Sequence, residues 1–262
     1  MLELCTLASG SSGNCLLVSS GNTHILVDAG ISCRRITTAL KAMGLDPKAL
    51  SAVLVTHEHS DHIAGLATMT KQLAVPVYAS RGTGMQLCYR IPFLEEVLHA
   101  FTPGERFSLG GVDVESFATP HDAAQSTGYA LSAGGKKAAV VTDLGHVTDE
   151  VVKGIRGAEL LVAEANHDVE WLQSGPYPYS LKSRILGDRG HLSNEAGAQL
   201  VCRAVEGGAR TVVLAHLSRE NNTPQRAYDV VRSALEHRGA RVGQDVRLEV
   251  APRDQTGERY RI

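Results

Sequence analysis

Three histidines and an aspartate, His57, His59, Asp61 and His62, fall within six consecutive positions, directly after the apolar run Val53-Leu54-Val55-Thr56. Imidazole and carboxylate are the usual ligands of zinc, manganese or iron, and three or four of them make a site. In extended chain, residues two apart project to the same side, so His57 and His59 can hold one cation together. Asp61 and His62, adjacent where the chain turns into a helix, can point toward a second cation. Four such groups are too many for one tetrahedral ion if more ligands arrive from elsewhere, so the spacing predicts two metals. No nearby Lys or Arg compensates the cluster, which argues against a mere packing role.

The elements that must position this cluster follow from pattern. The apolar run reads as a buried strand, Ala52–Thr56, with a helix from Ile63 to about Leu73 behind it. Strand ends are where α/β proteins keep their chemistry. Further strands are expected at Met1–Leu7, Cys15–Ser19, Thr23–Val27, Val75–Ala79, Glu105–Leu109, Val112–Phe117, Glu159–Glu164, Thr211–Ala215 and Val246–Val250. Thr127–Ala133 and Lys136–Thr142, joined through Gly134-Gly135, read as a hairpin. Helices are expected at Ser32–Met43, Gly82–Arg90, Asp149–Arg156, Asn194–Val205 and Pro224–His237. These units divide into halves before and after roughly Leu109, followed at the end by a polar tail. Asn166–Asn194 is irregular and rich in chemistry, with His167, Asp168, Trp171, Lys182, Arg184, Arg189 and His191.

At 262 residues, with 43% hydrophobic and 21% charged residues, the chain has the composition of an ordinary globular protein with ample core. Its net charge of -2 gives no global basic signal, so nucleic-acid binding would need a local patch. Five scattered cysteines without CxxC spacing read as buried residues in a reducing compartment. Neither a signal peptide nor a membrane-length apolar run is seen, so a cytoplasmic location is expected.

The HxHxDH segment resembles the signature of the metallo-β-lactamase superfamily. Asp28 after Ile25-Leu26-Val27, His121 in Thr119-Pro120-His121, Asp143 in Thr142-Asp143-Leu144 and His216 in Ala215-His216-Leu217 match its remaining motifs in order. The resemblance implies a four-layer αβ/βα sandwich with metals between two mixed sheets, in one domain spanning 1–262. It implies His57, His59 and His121 on one metal, Asp61, His62 and His216 on the other, and Asp143 bridging. Asp28 would orient a ligand histidine, its alternative being a turn residue before Gly30. Two such ions, about 3.5–4 Å apart, share a water and generate hydroxide near neutral pH. The oxygen-reducing di-iron members carry Glu where His59 stands, so hydrolysis is the expected chemistry.

Within the superfamily the chain is similar to the YycJ/WalJ-type bacterial nucleases. The segments carrying this are Ser9-Gly10-Ser11-Ser12-Gly13-Asn14-Cys15, Thr142-Asp143-Leu144-Gly145-His146, Asn166-His167-Asp168, Gly175-Pro176-Tyr177-Pro178 and Gly190-His191-Leu192-Ser193-Asn194. The resemblance implies 5′→3′ DNA exonuclease activity in mismatch repair, with repair proteins as partners and manganese or zinc as the metals. The bridging hydroxide would attack the phosphate, with Asp61 and His191 as the catalytic pair. His191 would protonate the leaving oxygen or bind a phosphate oxygen; it also reads as a residue before the Ser193 helix cap. Ser9, Ser11, Ser12 and Asn14 would cradle a phosphate at a free 5′ end, or form a plain turn. Aromatics and cations of Asn166–Asn194, with His167, Lys182 and Arg184, would meet bases and phosphates, or form a solvated face. An RNA-processing nuclease, a small-molecule hydrolase (thioesterase or cyclic phosphodiesterase) and a metal-stabilised binding module are the competing readings.

Overall fold

Strand residues alternate between two cores, and that alternation dictates how the sheets stack. The computed structural model describes residues 1–262. Its strands are β1 (Glu3–Ala8), β2 (Cys15–Ser20), β3 (Thr23–Val27), β4 (Ala52–Leu54), β5 (Val77–Ser80), β6 (Leu98–Phe101), β7 (Arg106–Leu109), β8 (Val112–Ala118), β9 (Thr127–Ala133), β10 (Lys136–Val141), β11 (Leu160–Glu164), β12 (Thr211–Ala215), β13 (Arg247–Val250) and β14 (Arg259–Arg261). The helices are α1 (Cys33–Ala42), α2 (Ser60–Ile63), α3 (Leu66–Leu73), α4 (Arg81–Arg90), α5 (Asp149–Ile155), α6 (Val169–Ser174), α7 (Tyr179–Leu186), α8 (Asn194–Glu206) and α9 (Pro224–His237). One sheet has the order β14-β1-β2-β3-β4-β5-β6, the other β13-β12-β11-β10-β9-β8-β7.

Leu17, Leu26, Val53 and Val77 pack with Ile36 and Leu40 of α1 and Met69 of α3. Their neighbours Leu16, Val18, Ile25 and Leu54 turn the other way and meet Val140, Val162 and Val213 of the second sheet. In that sheet Ala139, Leu161, Val212 and Leu214 face Val151 of α5, Leu200 of α8 and Val231 of α9. Period-two burial on both faces therefore produces helix, sheet, sheet, helix, the expected αβ/βα sandwich. In the first sheet β3, β4, β5 and β6 run parallel. In the second, β10, β11, β12 and β13 do. The C-terminal ends of these parallel runs supply the site.

Several expectations need correction. The helix expected from Ile63 to about Leu73 is α3 alone, and Asp61 and His62 lie in the separate short α2, parted from it at Ala64-Gly65. A Cβ on Gly65 would stand 2.2 Å from the Ile31 carbonyl oxygen, so the chain can pass there only as glycine. Asn166–Asn194 is not irregular throughout: it contains α6, capped by the Asp168 side chain on Trp171 N–H (2.9 Å), and α7. The halves divide before Arg106, since β7 belongs to the second sheet. The polar tail returns as β14 to pair with β1, and the short edge strand β6 was not anticipated.

Candidate metal centre

The apolar strands stop where side chains must turn into the space between the sheets. Asp28, Asp143 and His216 follow β3, β10 and β12 in the left-handed backbone region, with φ of 62°, 58° and 57°. Such φ is uncommon outside glycine and costs on the order of 1–3 kcal/mol, the kind of strain held at functional sites. His57 to His62 cross from β4 through α2, and His121 follows β8.

These distant segments converge. Donor atoms of His57, His59 and His121 form one set within 4.8 Å of one another, and those of Asp61, His62 and His216 form a second. Asp143 lies between the sets. Its Oδ2 is 3.3 Å from His62 Nε2, and its Oδ1 is 3.5 Å from His216 Nε2 and 3.8 Å from His121 Nε2. Two buried atoms in this cluster, His57 Nε2 and Asp143 Oδ2, have no hydrogen-bond partner. Buried polar atoms without partners are costly, so orphans aimed at a shared point fit divalent ions of the zinc or manganese class.

Electrostatics agree. Four carboxylates, Asp28, Asp61, Asp143 and Glu164, crowd the site, and no lysine or arginine pairs with any of them. Burial, then the neighbouring His62, His121 and His59 rings, push the His57 imidazole well down, keeping its lone pair free. Burial also pulls on the His62 and His216 rings. Carboxylates more than reverse this: Asp143 and Asp28 lift His62 well above its ordinary value, and Asp143, Asp61 and Glu164 raise His216 to about 10. The second set thus seeks positive charge, from protons or from a cation.

Each sheet also supplies one buried carboxylate that holds histidine rings in place. Asp28 Oδ2 accepts from His62 Nδ1 at 2.7 Å, while Asp28 receives the Thr56 N–H (2.8 Å) and hydroxyl (2.9 Å). Glu164, at the end of β11, was not singled out from sequence. Its Oε1 accepts from both His216 Nδ1 (2.9 Å) and His191 Nδ1 (2.8 Å), and its Oε2 from the N–H groups of Leu192 and Leu144. Nothing in its strand-like surroundings separates it from an exposed edge glutamate except its burial. By contrast Glu58, between two of the histidines, turns away to the Ala124 N–H (2.8 Å), as strand alternation requires.

The remaining expected residues have varied placements. His191 is half-buried, its ring centre 5.1 Å from His121 and 5.2 Å from His216. Ser9 Oγ accepts the His216 N–H (2.9 Å), and the Asn14 amide lies 3.1 Å from His62 Nε2. Ser11 and Ser12 are exposed at the tip of that loop. Arg184 pairs with Asp122, whose Oδ1 is 3.4 Å from His121 Nε2, so it stands at the rim. Lys182 does not face the cluster; its ammonium donates to the carbonyls of Gln173 (2.8 Å) and Gly175 (2.7 Å). His167 is only 1% exposed, with neither ring nitrogen hydrogen-bonded, and is enclosed by protein.

Fold and site together define a hydrolase of the metallo-β-lactamase fold. A family model described as the beta-lactamase superfamily domain matches residues 23–217. The chain belongs to that superfamily and, within it, to the YycJ/WalJ group. It is 40% identical to exodeoxyribonuclease YycJ of Bacillus anthracis, over 93% of this chain and 92% of that protein. It is 38% identical to exodeoxyribonuclease WalJ of Streptococcus pneumoniae, over 92% of this chain and 91% of that one. Among solved structures, the metallo-beta-lactamase fold protein YhfI from Bacillus subtilis shares the fold, with a TM-score of 0.72 at 16% identity, covering 98% of this chain and 100% of its own. No helix is long and apolar enough to cross a membrane.

Proposed function

We propose that the protein is a two-metal phosphodiesterase that removes nucleotides from the 5′ end of DNA. The observation that carries the chemistry is the convergence of seven donor groups around the unpartnered His57 Nε2 and Asp143 Oδ2. The names of the two exodeoxyribonuclease relatives carry the choice of DNA. His57, His59 and His121 would hold one ion and Asp61, His62 and His216 the other, with Asp143 facing both sets. Zinc or manganese there would lower the pKa of a bound water and neutralise charge gathering on the phosphoryl oxygens.

The chain's own groups do the rest. Glu164 accepts from His191 Nδ1, which fixes that ring's tautomer and leaves Nε2 to exchange a proton with substrate. In the cleavage we propose, water attacks phosphorus and P–O3′ is the bond that breaks, with His191 Nε2 placed to deliver the proton to the departing 3′-oxygen. Asp28 and Glu164 keep His62 and His216 aimed inward. The core between the sheets draws on both halves of the chain, which supports reading residues 1–262 as one domain. The same reading places the enzyme in the cytoplasm among mismatch-repair proteins.

Manganese- or zinc-loaded protein incubated with 3′-labelled DNA, matched RNA and small thioesters tests this. Stepwise loss of nucleotides from the 5′ end of DNA is the expected result. Cleavage of esters or RNA with intact DNA would replace it with one of the competing hydrolase readings.

A further inference from the structure

We infer that Arg253, together with the Ser9–Asn14 loop, forms a subsite for a terminal 5′-phosphomonoester. This rests on reading the centre as a 5′-end nuclease, and it names what that nuclease recognises. Parallel register makes the placement. Leu214 pairs with Val250, so the chain beyond β13 runs alongside Ala215, His216 and Leu217 and brings Arg253 level with the segment after His216. Arg253 Nη2 donates to the Ser218 carbonyl (3.2 Å), and its own carbonyl accepts the Ser9 N–H (3.3 Å). Ser9 in turn holds the His216 N–H. The guanidinium is therefore two residues from a proposed metal ligand and against the base of the loop.

The side chain is half-buried and has no carboxylate partner, and its Nε is buried with no hydrogen bond. Taking a guanidinium partly out of water without a counter-charge is costly, and an anion offsets the cost. Gly10 makes the close approach possible. A Cβ there would stand 3.4 Å from Arg253 Cγ and 3.2 Å from the Leu217 carbonyl oxygen, at a φ of 146°. The turn closed by Gly13 N–H on Gly10 O (3.0 Å) leaves Ser11 and Ser12 exposed, with amides and hydroxyls free of partners in the chain. Local charge favours an anion too. The adjacent Asp254 carboxylate is taken by Arg219 (3.3 Å), while Arg35 donates to its backbone carbonyl (3.0 Å), so of the three guanidiniums gathered here only one is paired with a carboxylate. This is the basic patch that a net charge of -2 conceals.

The reaction supplies the ligand. Breaking P–O3′ leaves the phosphoryl group on the shortened strand, so every turnover regenerates a 5′-phosphomonoester for the next.

The test compares first-cleavage kcat/KM on one 3′-labelled oligodeoxynucleotide bearing either a 5′-phosphate or a 5′-hydroxyl. Wild type should prefer the phosphate by about 10–100-fold, the worth of a charged hydrogen-bond contact. In Arg253→Met that preference should collapse toward unity through KM, and Arg253→Lys should retain part of it. An unchanged preference in Arg253→Met overturns the assignment. So do equal losses on both substrates, which would mean contact with an internal phosphodiester. Should Arg253→Met not fold, Ser11→Ala with Ser12→Ala reports on the same preference. Equilibrium binding of the two oligonucleotides separates this proposal from the catalytic one. A protein that cleaves neither but binds the phosphorylated end more tightly, in an Arg253-dependent way, keeps the subsite and loses the nuclease.

Discussion

The two sheets contribute to the centre in different ways. The first supplies His57, His59, Asp61 and His62 from one short stretch, with Asp28 gripping the His62 ring at 2.7 Å. The second supplies His121, Asp143 and His216 after three separate strands, with Glu164 gripping the His216 and His191 rings through one oxygen. Contiguity makes the first half nearly self-assembling, since local turning alone presents its donors. The second half depends on the register of β10, β11 and β12, and its orienting carboxylate ties the His216 ring to the His191 ring.

The group shared by both halves should matter most. Asp143→Asn preserves volume and removes the charge both donor sets face. We expect bound metal to fall and nuclease rate to drop by about 10²–10³-fold, the scale of losing one preorganised electrostatic group. Full metal content by elemental analysis with normal rates would remove Asp143 from between the ions.

The orienting carboxylates separate the halves. Asp28→Asn and Glu164→Gln should each weaken metal binding or rate by about 10–100-fold. Excess manganese should restore most activity to Asp28→Asn, whose partners are His62 and Thr56, but only part to Glu164→Gln, where His191 also loses its anchor. Equal rescue of both would dissolve the distinction.

The smallest effect concerns stability. Burial holds the His167 ring at about 4, against an ordinary 6.5. A histidine lowered in the folded state contributes fully above pH 6.5 and loses that contribution as pH falls toward 4, because the unfolded chain takes up its proton first. Relative to His167→Gln, wild type should lose about 3 kcal/mol of unfolding free energy over that window by chemical denaturation. A flat difference would show that the ring is not held neutral by burial.

How much was readable without coordinates depends on whether the information is local. Strand Thr23–Val27 and helix Pro224–His237 match the expected bounds, because apolar period and a Pro-led start are written within each segment. The edge strands β6 and β14 read Leu-His-Ala-Phe and Arg-Tyr-Arg, each with a single buried residue, so neither has an apolar run to mark it. Lys182 and Arg184 look alike in sequence, yet one is tied to backbone carbonyls and the other to Asp122 at the rim. Glu164 passed as a strand terminus and Arg253 as part of a polar tail.

The order of residues alone carries the inventory: ligand-type side chains placed where strands end, and apolar alternation that obliges two sheets to stack. Which of those side chains lose water and must find one another depends on the folded arrangement. Burial and cross-strand register set that, and both arise from residues far apart along the chain: Glu164 beneath His216 and His191, and Arg253 level with Leu217, are products of β11, β12 and β13 lying side by side.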